Sequence, residues 1–135
     1  MRKALIIIIS ILALTGCKEK YERVIDSYLE DHLKDPESYQ NIEIGKPGII
    51  TPMSRAFVEC VSRAKAGEFP MDSINTKLEQ IKTHFQNKGI DPYDTLGWEV
   101  THKYRAKNSF GATDLVEVVY TFDKEMNNII ESRQK

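Results

Sequence analysis

Apolar residues recur every three or four positions at the start of the globular part of the chain. The repeat consists of Tyr21, Val24, Ile25, Tyr28, Leu29 and Leu33. This spacing places the apolar side chains on one face of a helix. Asp35 and Pro36 follow directly, and proline excludes the helical conformation for the residue before it. The pattern therefore predicts an amphipathic helix from about residue 21 to residue 33.

The middle of the chain combines a short alternating segment with two further helical patterns. Residues 41–44 alternate polar and apolar side chains before a Gly- and Pro-rich segment at 45–48, which predicts a short strand and a turn. Thr51 and Pro52 are typical of a helix start, so a second helix is expected from here to about Gly67. A third helix is expected from near residue 72, with Ile74, Leu78, Ile81 and Phe85 on one face.

The last third of the chain changes to a period of two. The apolar set of the first strand alternates with polar residues, and a turn at 108–111 leads to a second strand at about 114–122 and a third at 129–130. The expected sheet side of the core is Trp98, Val100, Tyr104, Val118, Tyr120 and Phe122. A sheet of this size cannot bury itself. The predicted fold is α+β, with two or three helices packed on one face of a small antiparallel sheet that ends in a C-terminal meander.

The N-terminus has the layout of an export signal. Basic residues 2–3 precede an apolar run at 4–14, which is shorter than the roughly 20 residues a spanning helix needs. A buried core helix is the alternative, but polar residues 18–20 follow at once. The junction Leu14-Thr15-Gly16-Cys17 resembles the lipobox of bacterial lipoproteins. An ordinary signal peptide with a coincidental cysteine is the competing interpretation.

The lipobox resemblance implies a division of the chain. Residues 1–16 are the signal peptide that is removed, residues 17–20 are a lipidated tether, and residues 21–135 are a single domain. Acyl chains on Cys17 would then hold the domain on a membrane. Lys18 follows the cysteine, which favours the outer membrane in a cell with two membranes. The implied localisation is the cell envelope.

Composition narrows the classes of partner and the role of the second cysteine. Residues 17–135 carry 17 basic and 20 acidic residues, net about −3, so no nucleic-acid partner is expected. With Cys17 consumed by lipid, Cys60 is left alone. It falls in an apolar repeat with Phe57, Val61 and Ala64, and free cysteine is among the most buried residue types. We therefore predict a buried, structural Cys60.

Two short motifs give a second, partial resemblance. They are Leu33-Lys34-Asp35-Pro36-Glu37-Ser38 and Ala106-Lys107-Asn108-Ser109-Phe110-Gly111. The pair is similar to motifs in small bacterial secreted and lipoprotein domains, where a helix and a strand end in this way. The resemblance implies that the helical segment at about 49–94 is an insertion. Each motif also has a purely structural interpretation, as a helix stop and as a turn.

The sequence contains few signals for chemistry. His32, His84 and His102 lack zinc-site spacing, so no metal or cofactor is expected. Lys103, Arg105 and Lys107 form a basic row, which is a candidate polar binding face or simply a solvated sheet surface. We expect a non-catalytic binding, inhibitory or assembly module with an envelope protein or polysaccharide as partner. The alternative is a small envelope hydrolase with His102 as base, for which no nucleophile is identifiable.

Overall fold

The computed structural model describes residues 17–135. The predicted signal peptide, residues 1–16, lies outside the described residues. The three α-helices are α1 (Lys20–His32), α2 (Pro52–Lys65) and α3 (Ile74–Asn87), with short 3-10 helices at Pro36–Ser38 and Met71–Ser73. The strands are β1 (Gln40–Ile44), β2 (Gly48–Ile50), β3 (Gly97–Lys107), β4 (Thr113–Phe122) and β5 (Ile129–Gln134).

All described strand pairs are antiparallel and form one open sheet in the order β1-β3-β4-β5. Strand β2 pairs with the first residues of β3, on the same edge as β1. This arrangement confirms the predicted α+β class and the C-terminal meander. Strand β2 was not predicted, because three residues are too few to show a period.

One face of the sheet forms the main core, and α1 covers it. Even-numbered positions of β3 and β4 point to this face because side chains alternate along a strand. The buried members are Ile25, Leu29, Val100, Tyr104, Ala106, Val118, Tyr120 and Phe122. Trp98 is only partly buried against them, and its indole Nε1 donates to the Lys124 carbonyl oxygen at 3.0 Å. The predicted core residues therefore share one face, as the period of two requires.

Helices α2 and α3 pack against each other and bury a smaller cluster of their own. Thr51 caps α2, since its hydroxyl accepts from the Ser54 N–H at 3.0 Å, and the Ser54 hydroxyl accepts from the Thr51 N–H at 2.9 Å. The cluster contains Cys60, Ala64 and Ile74, with partly buried Val61, Phe69, Leu78 and Ile81 around it. Of the three helices, α1 alone contributes to the core on the apolar sheet face.

Cys60 is buried at 5% exposure and unpaired, as predicted. Phe57 belongs to the same apolar repeat and was expected on the buried face, but this expectation was wrong, because its side chain is 50% exposed. The face of α2 that meets α3 is centred on Ala56, Cys60 and Ala64, which repeat every four residues and are all buried. Phe57 is not among the apolar residues that pack against the cluster between α2 and α3.

Candidate functional site

A groove of about 1060 Å³ separates α2 from the second face of the sheet. The sheet side carries odd-numbered positions, Glu99 and Thr101 of β3 and Thr121 of β4, which alternation turns away from the core. Strand β2 closes one side with Ile49 and Ile50. The helix side consists of Ser54, Arg55, Val58, Glu59, Ser62 and Arg63. These are the residues of α2 that face away from α3.

The groove holds apolar and charged groups side by side. Val58 on the helix wall is 67% exposed, and Ile50 of β2 lies opposite Gly97 in the sheet and therefore on the face that lines the groove. On the floor, the Arg133 guanidinium donates to the Glu99 carboxylate at 2.8 Å. Arg55 has no carboxylate within ion-pair distance among residues 17–135. An apolar pair beside an uncompensated cation can bind a partner with both characters.

The predicted basic row lies on the same sheet face, beyond the groove toward the β3–β4 turn. The Lys103 ammonium is 4.0 Å from the Glu117 carboxylate, and the Lys107 ammonium is 4.0 Å from that of Asp35. A hydrogen bond from Lys135, assisted by Lys103, lowers the pKa of the Glu117 carboxyl. Arg105 is exposed. Two of the three cations therefore have acidic neighbours, and the row is weaker as an anion site than the sequence indicates.

His102 lies in the core, on the face opposite the groove. Its side chain is completely buried, and Nε2 is 3.1 Å from the Tyr39 hydroxyl and 3.2 Å from the Asn41 amide oxygen. Nδ1 has no hydrogen-bond partner among the described residues. Burial lowers the pKa of His102 to about 4, although the charge of Asp26 opposes the shift. The imidazole therefore stays neutral and out of reach of a substrate in this conformation.

The two sequence motifs meet in space. The Ser38 hydroxyl accepts from the backbone N–H of Lys107 at 2.8 Å and donates to the Asp35 carbonyl oxygen at 2.7 Å. In this way the helix-stop motif holds the end of β3 next to the turn motif. The structural interpretation explains why the two motifs occur together, since each supplies one half of the same contact.

The turn motif presents Phe110 at its tip. The Asn108 side-chain oxygen accepts from the N–H groups of Phe110 and Ala112 at 2.9 Å and 3.1 Å. Gly111 supplies the positive φ of 80° that this turn needs. Phe110 is 93% exposed, so the turn is held by its own hydrogen bonds without burial of the aromatic ring.

The segment after Cys17 is tied directly to the fold. Cys17 is exposed, and α1 begins three residues later. The Lys18 ammonium donates to the Asp26 carboxylate at 2.6 Å, and that of Lys20 to the Glu125 carbonyl oxygen at 2.7 Å. These contacts place Cys17 at the β4–β5 end of the domain, whereas Phe110 lies at the opposite end of β4.

Comparison of the chain with family models, with curated proteins and with solved structures returned no match. Among residues 17–135, no three His, Cys, Asp or Glu side chains are grouped to hold a metal ion. No helix in that part of the chain has the length and apolar character needed to cross a bilayer. The groove was missed at the sequence level, where only the isolated apolar Val58 on the polar side of α2 could have signalled it.

Proposed function

We propose that the chain is a lipid-anchored envelope lipoprotein and that its folded part is a non-catalytic binding module. The groove between α2 and the sheet receives the partner, which is an envelope protein. The observation that carries the proposal is the placement of exposed Val58 on the helix wall and Ile50 of β2 on the sheet wall of this cleft. Isolated exposed aliphatic residues are common, but aliphatic side chains that line a concave site are typical of binding sites.

The chemistry of the groove favours a protein over a polysaccharide. Aromatic rings offer flat apolar faces on which sugar rings stack, and no aromatic side chain lines the described groove. Aliphatic side chains next to Arg55 and the Glu99–Arg133 pair instead match the mixed apolar and charged surface of a protein segment. The hydrolase alternative loses support, because its candidate base His102 is buried on the other side of the sheet.

The anchor part of the proposal rests on Cys17 and the residues around it. Cys17 is exposed and lies beside the start of α1, so acyl chains on its sulfur need no rearrangement of the domain. Two or three acyl chains bind a membrane essentially permanently, because each buried methylene contributes about 0.8 kcal/mol. The short connection to α1 then holds the domain close to the bilayer surface.

Intact mass measurement tests the anchor. Protein extracted from the native membrane should begin at Cys17 and carry added acyl mass, and Cys17→Ser should move the protein to the soluble fraction. A native product without acyl mass would refute the anchor, while leaving the groove open to a separate test.

Site-specific photo-crosslinking tests the groove. A photo-reactive residue in place of Val58 should give a discrete crosslinked product in intact cells. The matched control is Leu115, which is 58% exposed compared with 67% for Val58 but lies outside the groove. Arg55→Glu should abolish the product at Val58 while the fold is retained, because it reverses the uncompensated charge.

The nature of the product decides between partners. Sensitivity of the product to protease, and not to glycan hydrolases, supports a protein partner, and the opposite pattern supports a polysaccharide and refutes the proposal. Equal crosslinking from Val58 and Leu115 would show that the groove has no special role.

A further inference from the structure

Strand β5 forms an open edge of the sheet. It is the last strand in the order, it pairs only with β4 among the described strands, and five of its six residues are exposed. The Lys135 N–H donates inward to the Glu117 carbonyl oxygen at 2.9 Å. Because backbone groups alternate in direction along a strand, those of Ser132 and Gln134 point outward, whereas Ile130 lies at the irregularity between the Thr121–Glu131 and Phe122–Ile129 pairs. Ser132 and Gln134 therefore present unpaired donors and acceptors to a further strand.

The charges of β5 are complementary to those of a second copy of β5 that runs antiparallel to it. Antiparallel pairing centred on Ser132 places Glu131 of each copy directly opposite Arg133 of the other, so two cross-strand ion pairs form. Ser132 and its symmetry mate then form a hydrogen-bonded pair, which matches the outward direction of the Ser132 backbone groups, and Gln134 lies opposite Ile130 of the other copy. Within residues 17–135 Glu131 has no ion-pair partner, so pairing supplies one.

Other symmetric registers fit less well. Centring the pair on Gln134 sets Arg133 opposite Lys135, and centring it on Arg133 or Glu131 sets like charges against each other, which is unfavourable. Centring on Ile130 uses only the first part of the strand. The register centred on Ser132 uses nearly the whole strand and is the one that pairs opposite charges.

We propose that the chain forms a symmetric dimer in which β5 pairs antiparallel with β5 of a second copy, centred on Ser132. The two sheets then become one continuous sheet. Isologous contacts of this kind are the commonest in homo-oligomers.

The dimer has a consequence for the groove. Glu131 and Arg133 belong to the groove lining as well as to β5, and residues directly opposite in a sheet share a face. The two grooves therefore meet at the two-fold axis, where each copy contributes charged side chains next to the other's cleft. A partner can then contact both copies at once.

The symmetry also suits attachment to a single membrane. The two-fold axis of an antiparallel strand pair is perpendicular to the sheet, so both α1 helices lie on one side and both grooves on the other. Both Cys17 residues are then on the α1 side. The orientation of the dimer on a membrane rests on the proposed lipid anchor, whereas the pairing of the two β5 strands does not depend on that anchor.

Disulfide trapping in intact cells tests the register. The full-length protein with Ser132→Cys should form an oxidised homodimer, because Cα atoms in a hydrogen-bonded antiparallel pair are about 5.5 Å apart, within disulfide reach. Gln134→Cys is the matched control, since in this register it faces Ile130 of the second copy and should not crosslink to itself. Unsubstituted protein reports any background from Cys17 and Cys60.

Charge reversal tests the interface itself. In the Ser132→Cys background, Glu131→Arg and Arg133→Glu should each weaken dimerisation about 10-fold, since each turns two attractive cross-strand pairs into repulsive ones. The double variant should restore the dimer, because it re-forms both pairs with the signs exchanged. Glu99→Gln controls for loss of the internal pair with Arg133 and should leave the dimer intact.

The outcomes separate this proposal from the others. No homodimer from Ser132→Cys, equal trapping from Gln134→Cys, or no rescue by the double variant would each overturn it. A Ser132→Cys adduct with a different protein and no homodimer would show that β5 binds another chain instead. If the protein is soluble and not lipidated, the same trapping is done in the soluble fraction, so failure of the anchor and failure of the dimer remain distinguishable.

Discussion

Acidification from pH 7 to pH 5 should destabilise the domain through His102. The side chain is completely buried, and burial lowers the pKa of His102 from its ordinary value of 6.5 to about 4. Between these two values the unfolded chain binds a proton that the folded protein does not. Stability is therefore fully present above the unfolded pKa and is lost as the pH falls toward the folded pKa. The full effect is about 3 kcal/mol, of which about 2 kcal/mol falls between pH 7 and pH 5.

The surroundings of His102 support the direction of this effect. Tyr39, Tyr104 and Tyr120 pack around the ring with centroid distances of 5.9, 5.0 and 6.0 Å, and none of them carries a negative charge in this pH range. Asp26 is the carboxylate that opposes the shift, but the ammonium of Lys18 is 2.6 Å from it. A protonated imidazole would therefore be a poorly compensated buried charge.

Urea unfolding at pH 7 and pH 5 measures the effect, with His102→Gln as the reference. Glutamine does not titrate and can still contact the Tyr39 hydroxyl or the Asn41 amide near Nε2. The variant should be less stable than the parent at pH 7 and should lose about 2 kcal/mol less on acidification. Hydrogen bonds from Lys135 and Asn128 lower the pKa values of Glu117 and Asp123, so these carboxylates stay ionised at pH 5. Equal pH dependence in parent and variant would refute the reasoning.

Three further stability predictions follow from side-chain positions. Trp98→Ala should lower the free energy of unfolding in urea by about 2 to 3 kcal/mol, because the indole is only partly buried. Lys103→Ala, on the other face of the sheet, should lower it by less than about 0.5 kcal/mol. Equal losses for the two variants would contradict the faces assigned to these residues. Cys60→Ala should fold and lose about 1 kcal/mol, and rapid thiol labelling of the native parent would argue against burial. Gly97→Ala should lower the midpoint temperature of thermal unfolding, because the added Cβ would collide with the Phe122 carbonyl oxygen. An unchanged midpoint would mean that β3 and β4 can move apart at this position.

Long regular patterns made most of the fold predictable. The repeat of α1, the Thr51-Pro52 start of α2 and the alternation of β3 and β4 all appear in the structure close to their expected bounds. Three-residue β2 has no pattern to detect, and the two-residue third strand was extended to Ile129–Gln134 by pairing with β4. Such elements depend on their neighbours, which a single sequence does not show.

The candidate site was less predictable because it depends on tertiary placement. The polar side of α2 has the composition of a solvent-exposed helix face, and nothing local indicates that it faces a sheet across a groove. The environment of His102 also depends on tertiary packing. Its even-numbered position in β3 places it on the apolar face, but its isolation from every substrate-accessible surface in this conformation depends on the packing of Tyr39 and α1 over the sheet.

Strand alternation separates the residues of the core from those of the proposed binding groove. Even-numbered residues of β3 carry the core, while odd-numbered Glu99 and Thr101 line the groove and Lys103 continues the same face. Substitutions at Val100 should therefore change the free energy of unfolding, and substitutions at Glu99 should change crosslinking at Val58 with little change in stability. Because the two sets are interleaved along one strand, a shift of register by one residue would exchange them. The hydrogen bond from Lys107 N–H to Ser38 holds the end of β3 in place, so the paired motifs help to position the strand that lines the proposed binding groove.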